Sequence, residues 1–77
     1  AMKILGKYYR KKEMYKASLN AYNEAIELRP KDPEAHLGLG ITYWKMGESI
    51  MATGAWKRSL QLKPENNEAK GWLILAQ

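Results

Sequence analysis

Side chains that can act as acids, bases or nucleophiles are few in this chain. His36 is the only histidine, Asp32 is the only aspartate, and there is no cysteine. Asp32 directly precedes Pro33, which suits a helix cap better than a catalytic carboxylate. Glu34 cannot assist His36, because side chains two positions apart on a helix point in different directions. The sequence therefore predicts no catalytic pair.

Other kinds of chemical site are also missing from the sequence pattern. No glycine-rich phosphate loop, no paired carboxylates and no metal-ligand spacing occur in it. None of the serines has a neighbouring base that could activate it; they are Ser18, Ser49 and Ser59. We expect a protein that is not an enzyme and that uses neither a metal nor a cofactor.

Positive charge is concentrated near the start of the sequence. The net charge is +5, and residues 1–16 hold six basic side chains and one acidic one. Such a cluster can attract an acidic peptide, and with Tyr8 and Tyr9 beside it a weak polyanion or nucleic-acid site is an alternative. A single basic helix is more often a solvated surface, so nucleic acid is the less favoured partner.

The elements that carry these side chains repeat every 34 residues. When the first unit is compared with the second at that offset, the identical pairs include Ala1/Ala35, Leu5/Leu39, Gly6/Gly40, Tyr9/Tyr43, Lys11/Lys45, Ala21/Ala55, Leu28/Leu62 and Pro30/Pro64, and a further shift pairs Ala35 with Ala69 and Leu39 with Leu73. A period of this length indicates stacked helical units. We therefore divide the chain into a nearly whole unit (1–32), a whole unit (33–66) and the first helix of a third (67–77).

Each unit is predicted to contain two helices joined by a short turn. Asp32 caps the first helix of the second unit, and Gly47 ends it because glycine adopts the left-handed conformation without steric cost. The next helix is predicted over residues 49–63 and is stopped by Pro64. The first unit follows the same plan, although its turn at Glu13 must close without glycine.

This pattern resembles the tetratricopeptide repeat along the whole chain. The second unit supplies the family's positions with Leu39, Gly40, Tyr43, Ala52, Trp56 and Pro64, and the first with Leu5, Gly6, Tyr9, Tyr22, Ala25 and Pro30. The resemblance implies an all-α fold, a right-handed superhelical solenoid of about five helices. It also implies a scaffold or adaptor for protein–protein interaction, acting as one segment of a larger protein.

In that family the first helix of each unit lines a concave groove that binds peptides. The positions implied to face the groove are Lys3, Lys7, Arg10 and Lys11, then Glu34, Leu37, Ile41, Trp44 and Lys45, then Glu68, Gly71 and Leu75. We expect an exposed stripe of Leu37, Ile41 and Trp44 to anchor an acidic or amphipathic partner. Of the positions that form the chaperone-type carboxylate clamp only Lys3 matches, so no such clamp is expected.

The last predicted helix, which Asn66 is expected to cap, is apolar nearly all round. Its apolar residues, Trp72, Leu73, Ile74 and Leu75, favour self-association as an alternative function. Gly54 is unexplained within a helix, where it is expected to contact another backbone or to lie on the surface. With no apolar run of membrane-spanning length, no membrane insertion is expected, and we expect a cytoplasmic protein.

Overall fold

The computed structural model describes residues 2–76, so Ala1 and Gln77, the outer ends of the first and third predicted units, lie outside the described residues. Five helices occur in this range: α1 (Met2–Lys11), α2 (Tyr15–Leu28), α3 (Pro33–Lys45), α4 (Ser49–Leu62) and α5 (Asn67–Ala76). No strand is present among residues 2–76. The predicted all-α fold of about five helices is confirmed.

Each helix packs against the next one along the chain, and two further contacts place the helices in two layers. α1 contacts α3, and α3 contacts α5. These three helices therefore form one layer, and α2 and α4 form the other. The layers build a body of 26 × 25 × 16 Å.

The ends of α3 follow the capping chemistry that the sequence predicts. The Asp32 carboxylate accepts a hydrogen bond from the Glu34 backbone N–H at 3.0 Å, and proline stands in the first turn. Gly47 has φ +83° beyond the end of α3. In the first unit, Glu13 takes the corresponding left-handed conformation with φ +60°. That turn therefore closes without glycine, at the steric cost that a Cβ atom brings in this region.

Two buried aromatic side chains lie where neighbouring helices approach most closely. Tyr22 packs over Gly6, where an added Cβ would lie 2.8 Å from its ring, and Trp56 packs over Gly40 at 2.4 Å. Each of these glycines therefore lies at a close approach between two helices. Gly38 makes a third that the sequence analysis did not anticipate, because an added Cβ there would lie 2.3 Å from Tyr22.

A buried pair of hydroxyl groups joins α2 to both neighbouring helices. The Ser18 hydroxyl donates to the Gly6 carbonyl at 2.8 Å and lies 3.0 Å from the Thr42 hydroxyl, which donates to the Gly38 carbonyl at 3.0 Å. Both side chains are fully buried. Ser18 is therefore a hydrogen-bonding residue of the core.

Gly54 lies on an open part of the surface of α4. An added Cβ would meet no atom within 4 Å, and the residue is exposed. Of the two explanations considered for this glycine, surface tolerance therefore applies, and close backbone contact does not.

Candidate functional site

The predicted groove residues all belong to α1, α3 and α5, the helices of one layer. On α1, Lys3, Lys7 and Arg10 are spaced by four and three positions, so they share one helix face. Lys3 reaches the start of α3, which shows that this face borders α3. Lys7 and Lys11 are exposed, and Arg10 is partly buried.

Lys3 is already paired within the molecule and is not a free cation for a partner. Its ammonium lies 2.8 Å from the Asp32 carboxylate and 3.3 Å from that of Glu34. The hydrogen bond to Asp32 raises the pKa of Lys3, against the effect of burial and with help from Glu34. The expectation that Lys3 belongs to the open basic end of the groove is corrected accordingly, since it links α1 to α3.

Asp32 combines this ion pair with its role as the cap of α3. Partial burial acts to raise the pKa of its carboxyl group, but the hydrogen bond and charge of Lys3, with backbone N–H donors at Glu34 and Ala35, outweigh that effect and leave the pKa below its ordinary value. The Asp32 carboxylate is therefore ionised at neutral pH, and Lys3 and the backbone N–H donors stabilise its charge.

The expectation of an exposed Leu37–Ile41–Trp44 stripe is wrong for two of its three residues. Leu37 and Ile41 are each only 8 % exposed. They belong to a core cluster against which Trp44 and, from α5, Trp72 pack. The reason is that α5 packs on the face of α3 that these residues form, and the sequence pattern alone does not show that contact.

A ladder of three tryptophans connects the two layers. Trp56 is fully buried, its ring centroid lies 5.4 Å from that of Trp72 in a stacked arrangement, and the Trp44 centroid lies 5.9 Å away on another side. The Trp56 indole N–H has no hydrogen-bond partner among residues 2–76. Trp56 therefore positions the two outer tryptophans, which the sequence analysis assigned to the groove and to the last helix.

A shallow notch of about 260 Å³ opens on α5. It is lined by three predicted groove residues, Glu68, Gly71 and Leu75, together with Asn67 and Trp72. An added Cβ at Gly71 would meet no atom within 4 Å, so the absence of a side chain there opens the notch. The notch can take an apolar side chain between Trp72 and Leu75.

The residues predicted for self-association divide into two pairs in the structure. Trp72 and Leu73 are partly buried and pack against the core cluster. Ile74 and Leu75 are 71 % and 62 % exposed. The second pair is therefore the more exposed part of the apolar surface of α5.

A larger open depression of about 650 Å³ lies at the turn between α2 and α3. Its lining residues are Lys3, Arg29, Pro30, Lys31, Asp32, Pro33, Glu34 and Lys63. This depression is not apparent from the sequence, because its residues come from one turn and the ends of three different helices. The available signal was the pair Arg29 and Lys63, basic residues one repeat period apart.

His36 takes part in the structure of this same turn. Its Nε2 atom lies 3.0 Å from the Pro30 carbonyl oxygen, and the side chain is partly buried. Across the part of the chain that the structure describes, no three His, Cys, Asp or Glu side chains gather as metal ligands. In the same residues, no helix has the length and apolar character to cross a membrane.

Comparison with known proteins agrees with the repeated helical pairs. The family model described as "TPR repeat" matches residues 6–47, more than half of the chain. The chain is 36 % identical over 70 residues to the RNA polymerase-associated protein CTR9 of Saccharomyces cerevisiae. The matched stretch covers 90 % of the chain and 6 % of that protein.

Two further relatives match shorter stretches. Protein CTR9 homolog of Arabidopsis thaliana is 39 % identical over 56 residues, which is 71 % of the chain and 5 % of that protein. Tetratricopeptide repeat protein 1 of Schizosaccharomyces pombe is 32 % identical over 53 residues, which is 68 % of the chain and 5 % of that protein. The chain thus spans about one-twentieth of the length of the relatives it matches, and it belongs to the tetratricopeptide repeat family.

Proposed function

We propose that this chain is a scaffold segment whose α1–α3–α5 face binds an acidic or amphipathic stretch of a partner protein. Tetratricopeptide repeats generally mediate protein–protein interactions. The observation that carries the proposal is the pairing of exposed Lys7 and Lys11 on α1 with the apolar notch at Gly71 on α5, in one layer of helices. Charge attracts and orients the partner, and the notch supplies apolar contact.

The distance between the helices of this layer also implies a spacing between the acidic and the apolar contact residues of the partner. Packed helices lie about 8–10 Å apart, so α1 and α5, separated by α3, lie roughly 16–20 Å apart. An extended chain advances about 3.3 Å per residue. Acidic residues held by α1 and an apolar residue held by the notch are therefore about five or six positions apart in an extended ligand.

The middle of the face serves a different purpose from the one the sequence suggested. Leu37 and Ile41 are buried, so they support the surface from below. Trp44 remains partly exposed and Lys45 is exposed, so these two residues of α3 are the proposed contacts between the basic end and the notch. Arg10, partly buried beside Lys7, completes the basic end.

Fluorescence anisotropy with designed peptides tests this proposal. The probe carries three glutamates, a Gly-Ser spacer and a leucine five residues beyond the acidic group, and a second probe places the leucine next to the glutamates. Lys7→Glu with Lys11→Glu should weaken binding of the first probe at least tenfold. The matched change on the other layer, Lys16→Glu with Lys57→Glu, should leave the affinity within about twofold.

A second pair of variants tests the notch separately from the charges. Gly71→Met fills the notch, and Gly54→Met makes the same substitution at an open position of α4. The first should weaken binding of the spaced probe and the second should not. Equal effects of the two methionines, or equal affinity for the two probes, would refute the notch as a binding site. Tighter binding of a single-stranded oligonucleotide than of either peptide would favour the polyanion alternative.

The yeast relative is named as RNA polymerase-associated, so we propose the transcription machinery as one source of the acidic segment. Competition of purified RNA polymerase against the labelled peptide would test this. No displacement at micromolar polymerase would reject that source. The cytoplasmic location remains a prediction, which microscopy of the tagged parent protein can test against association with transcription.

Self-association through α5 is the second candidate, supported by the exposure of Ile74 and Leu75. Sedimentation equilibrium of Ile74→Glu with Leu75→Glu tests it. The matched control is Ile50→Glu with Met51→Glu, two exposed apolar residues on α4. The proposal predicts that the wild type and the α4 variant associate while the α5 variant is monomeric. A monomeric wild type at high concentration would reject it.

A further inference from the structure

The open depression at the turn between α2 and α3 has a surplus of positive charge. Among its lining residues are four basic and two acidic side chains. Both acidic groups, Asp32 and Glu34, lie against Lys3 at 2.8 and 3.3 Å, and this lysine offsets one of their two negative charges. The remaining cations, Arg29, Lys31 and Lys63, are exposed and form no ion pair within 4 Å among residues 2–76.

We propose that this depression binds the carboxylate side chains of an acidic polypeptide segment, held by Arg29, Lys31 and Lys63. The site lies at the ends of the helices and not on the Lys7–Gly71 face, so it does not depend on the function proposed above. It gives this chain a second surface for an acidic partner.

The positions of the cations on the repeat favour a ligand with several charges. Arg29 and Lys63 directly follow the last residues of α2 and α4, one repeat period apart. A cation at the carboxyl end of a helix interacts favourably with the helix dipole, which accounts for one basic residue at each end. The helix dipole does not account for Lys31 or for the open depression between the ends of α2 and α4. Cations supplied by successive units suit an extended ligand with repeated carboxylates.

The lining also discriminates between kinds of anion. Pro30 and Pro33 provide an apolar surface that can contact the backbone and side chains of a peptide. Among residues 2–76 no aromatic side chain lines the depression, so the bases of a nucleic acid find no ring there on which to stack. Asp32 and Glu34 can accept hydrogen bonds from peptide N–H groups, which a DNA backbone lacks. An open volume of about 650 Å³ is also much larger than a single phosphate needs.

Titration of octa-glutamate into ¹⁵N-labelled protein, followed by ¹H–¹⁵N NMR, tests the site residue by residue. The amide signals of Arg29, Lys31 and Asp32 should shift as octa-glutamate is added, and the shift changes should saturate and yield a dissociation constant. The amides of Lys7 and Lys11 report separately on the Lys7–Gly71 face, so failure of one site does not obscure the other. Inorganic phosphate and an oligothymidylate are titrated in parallel as the alternative anions.

The variants are matched in residue type and charge. Arg29→Glu with Lys63→Glu should weaken octa-glutamate binding at the depression at least tenfold and reduce its dependence on salt. Lys57→Glu with Arg58→Glu on the exposed side of α4 should change it less than twofold. Since glutamate at a helix end opposes the dipole, Arg29→Gln with Lys63→Gln, checked by circular dichroism, repeats the test without added negative charge.

The outcomes decide the proposal in both directions. Selective loss of octa-glutamate binding in the Arg29 and Lys63 variants supports the proposal. Equal loss in the Lys57 and Arg58 variants would show general attraction to a basic protein and would overturn it. Saturable binding of phosphate alone at the same amides, or tighter binding of oligothymidylate, would also overturn it, because the site would then recognise another class of anion.

Discussion

Alanine substitution at two glycines is expected to have opposite effects on the free energy of unfolding. Both Gly40 and Gly54 lie inside helices, where replacement of glycine by alanine contributes about 0.8–1 kcal/mol of stability. At Gly54 the new methyl group meets no atom within 4 Å. The full gain is therefore expected there, which raises the Tm of a domain of this size by roughly 4–8 °C.

At Gly40 the same methyl group collides with the core. It would lie 2.4 Å from Nε1 of Trp56, a side chain that is fully buried and stacked against Trp72. Overpacking of this kind costs about 1–3 kcal/mol. At the upper end of that range, which a rigid buried indole favours, the net loss is about 1–2 kcal/mol after the helical gain is included.

Urea denaturation followed by circular dichroism measures both effects, and tryptophan fluorescence reports the ring stack. Gly40→Ala should also weaken binding of the spaced acidic peptide, because Trp56 packs against Trp44, a proposed contact of the face, and against Trp72, which lines the notch. Gly54→Ala should not. If Gly40→Ala is as stable as the wild type, then Trp56 moves freely and the packing argument is refuted.

Three further predictions concern the turns and the buried polar contacts. Glu13→Gly should stabilise the protein by about 0.5–1 kcal/mol in urea denaturation, since it removes a Cβ from the left-handed conformation. Asp32→Asn keeps a helix cap but loses the ion pair with Lys3. Folding lowers the pKa of the Asp32 carboxyl group below its ordinary value of 3.8. The ionised carboxylate therefore contributes to stability above pH 3.8, and this contribution is lost as the pH falls through the pKa of the folded state. Thermal melts from pH 7 to 2.5 should therefore show a smaller acid-side loss in the variant. Ser18→Ala should cost about 0.5–1.5 kcal/mol in urea denaturation, because a buried hydrogen-bond donor to Gly6 is removed.

Each of these predictions has a contrary result. A less stable Glu13→Gly protein would show that glycine's flexibility in the unfolded chain outweighs the relief of strain. Parallel melting curves for wild type and Asp32→Asn would show that the ion pair contributes nothing between pH 7 and 2.5. A Ser18→Ala protein as stable as the wild type would show that the hydrogen bond from Ser18 to the Gly6 carbonyl contributes nothing net to stability.

The sequence by itself determined the succession of helices and their ends. The 34-residue period, the cap at Asp32 and the left-handed glycine at Gly47 all follow from local preferences of the backbone, which depend on near neighbours in the chain. Close packing at Gly6 and Gly40 was also predictable, because a repeated glycine within a helix needs a packing reason. The charge of α1 was visible in the sequence as well, since charge needs no contact to be counted.

Only the tertiary structure decided which side chains remain available to a partner. Leu37 and Ile41 follow the spacing of a groove stripe, but contact with α5 buries them, and Lys3 is neutralised by acids from the start of α3. The depression lined by Arg29, Lys31 and Lys63 likewise exists only where helix ends distant in sequence meet. Exposure and ion pairing depend on which helices pack together, and that packing is a property of the folded chain rather than of any local stretch of sequence.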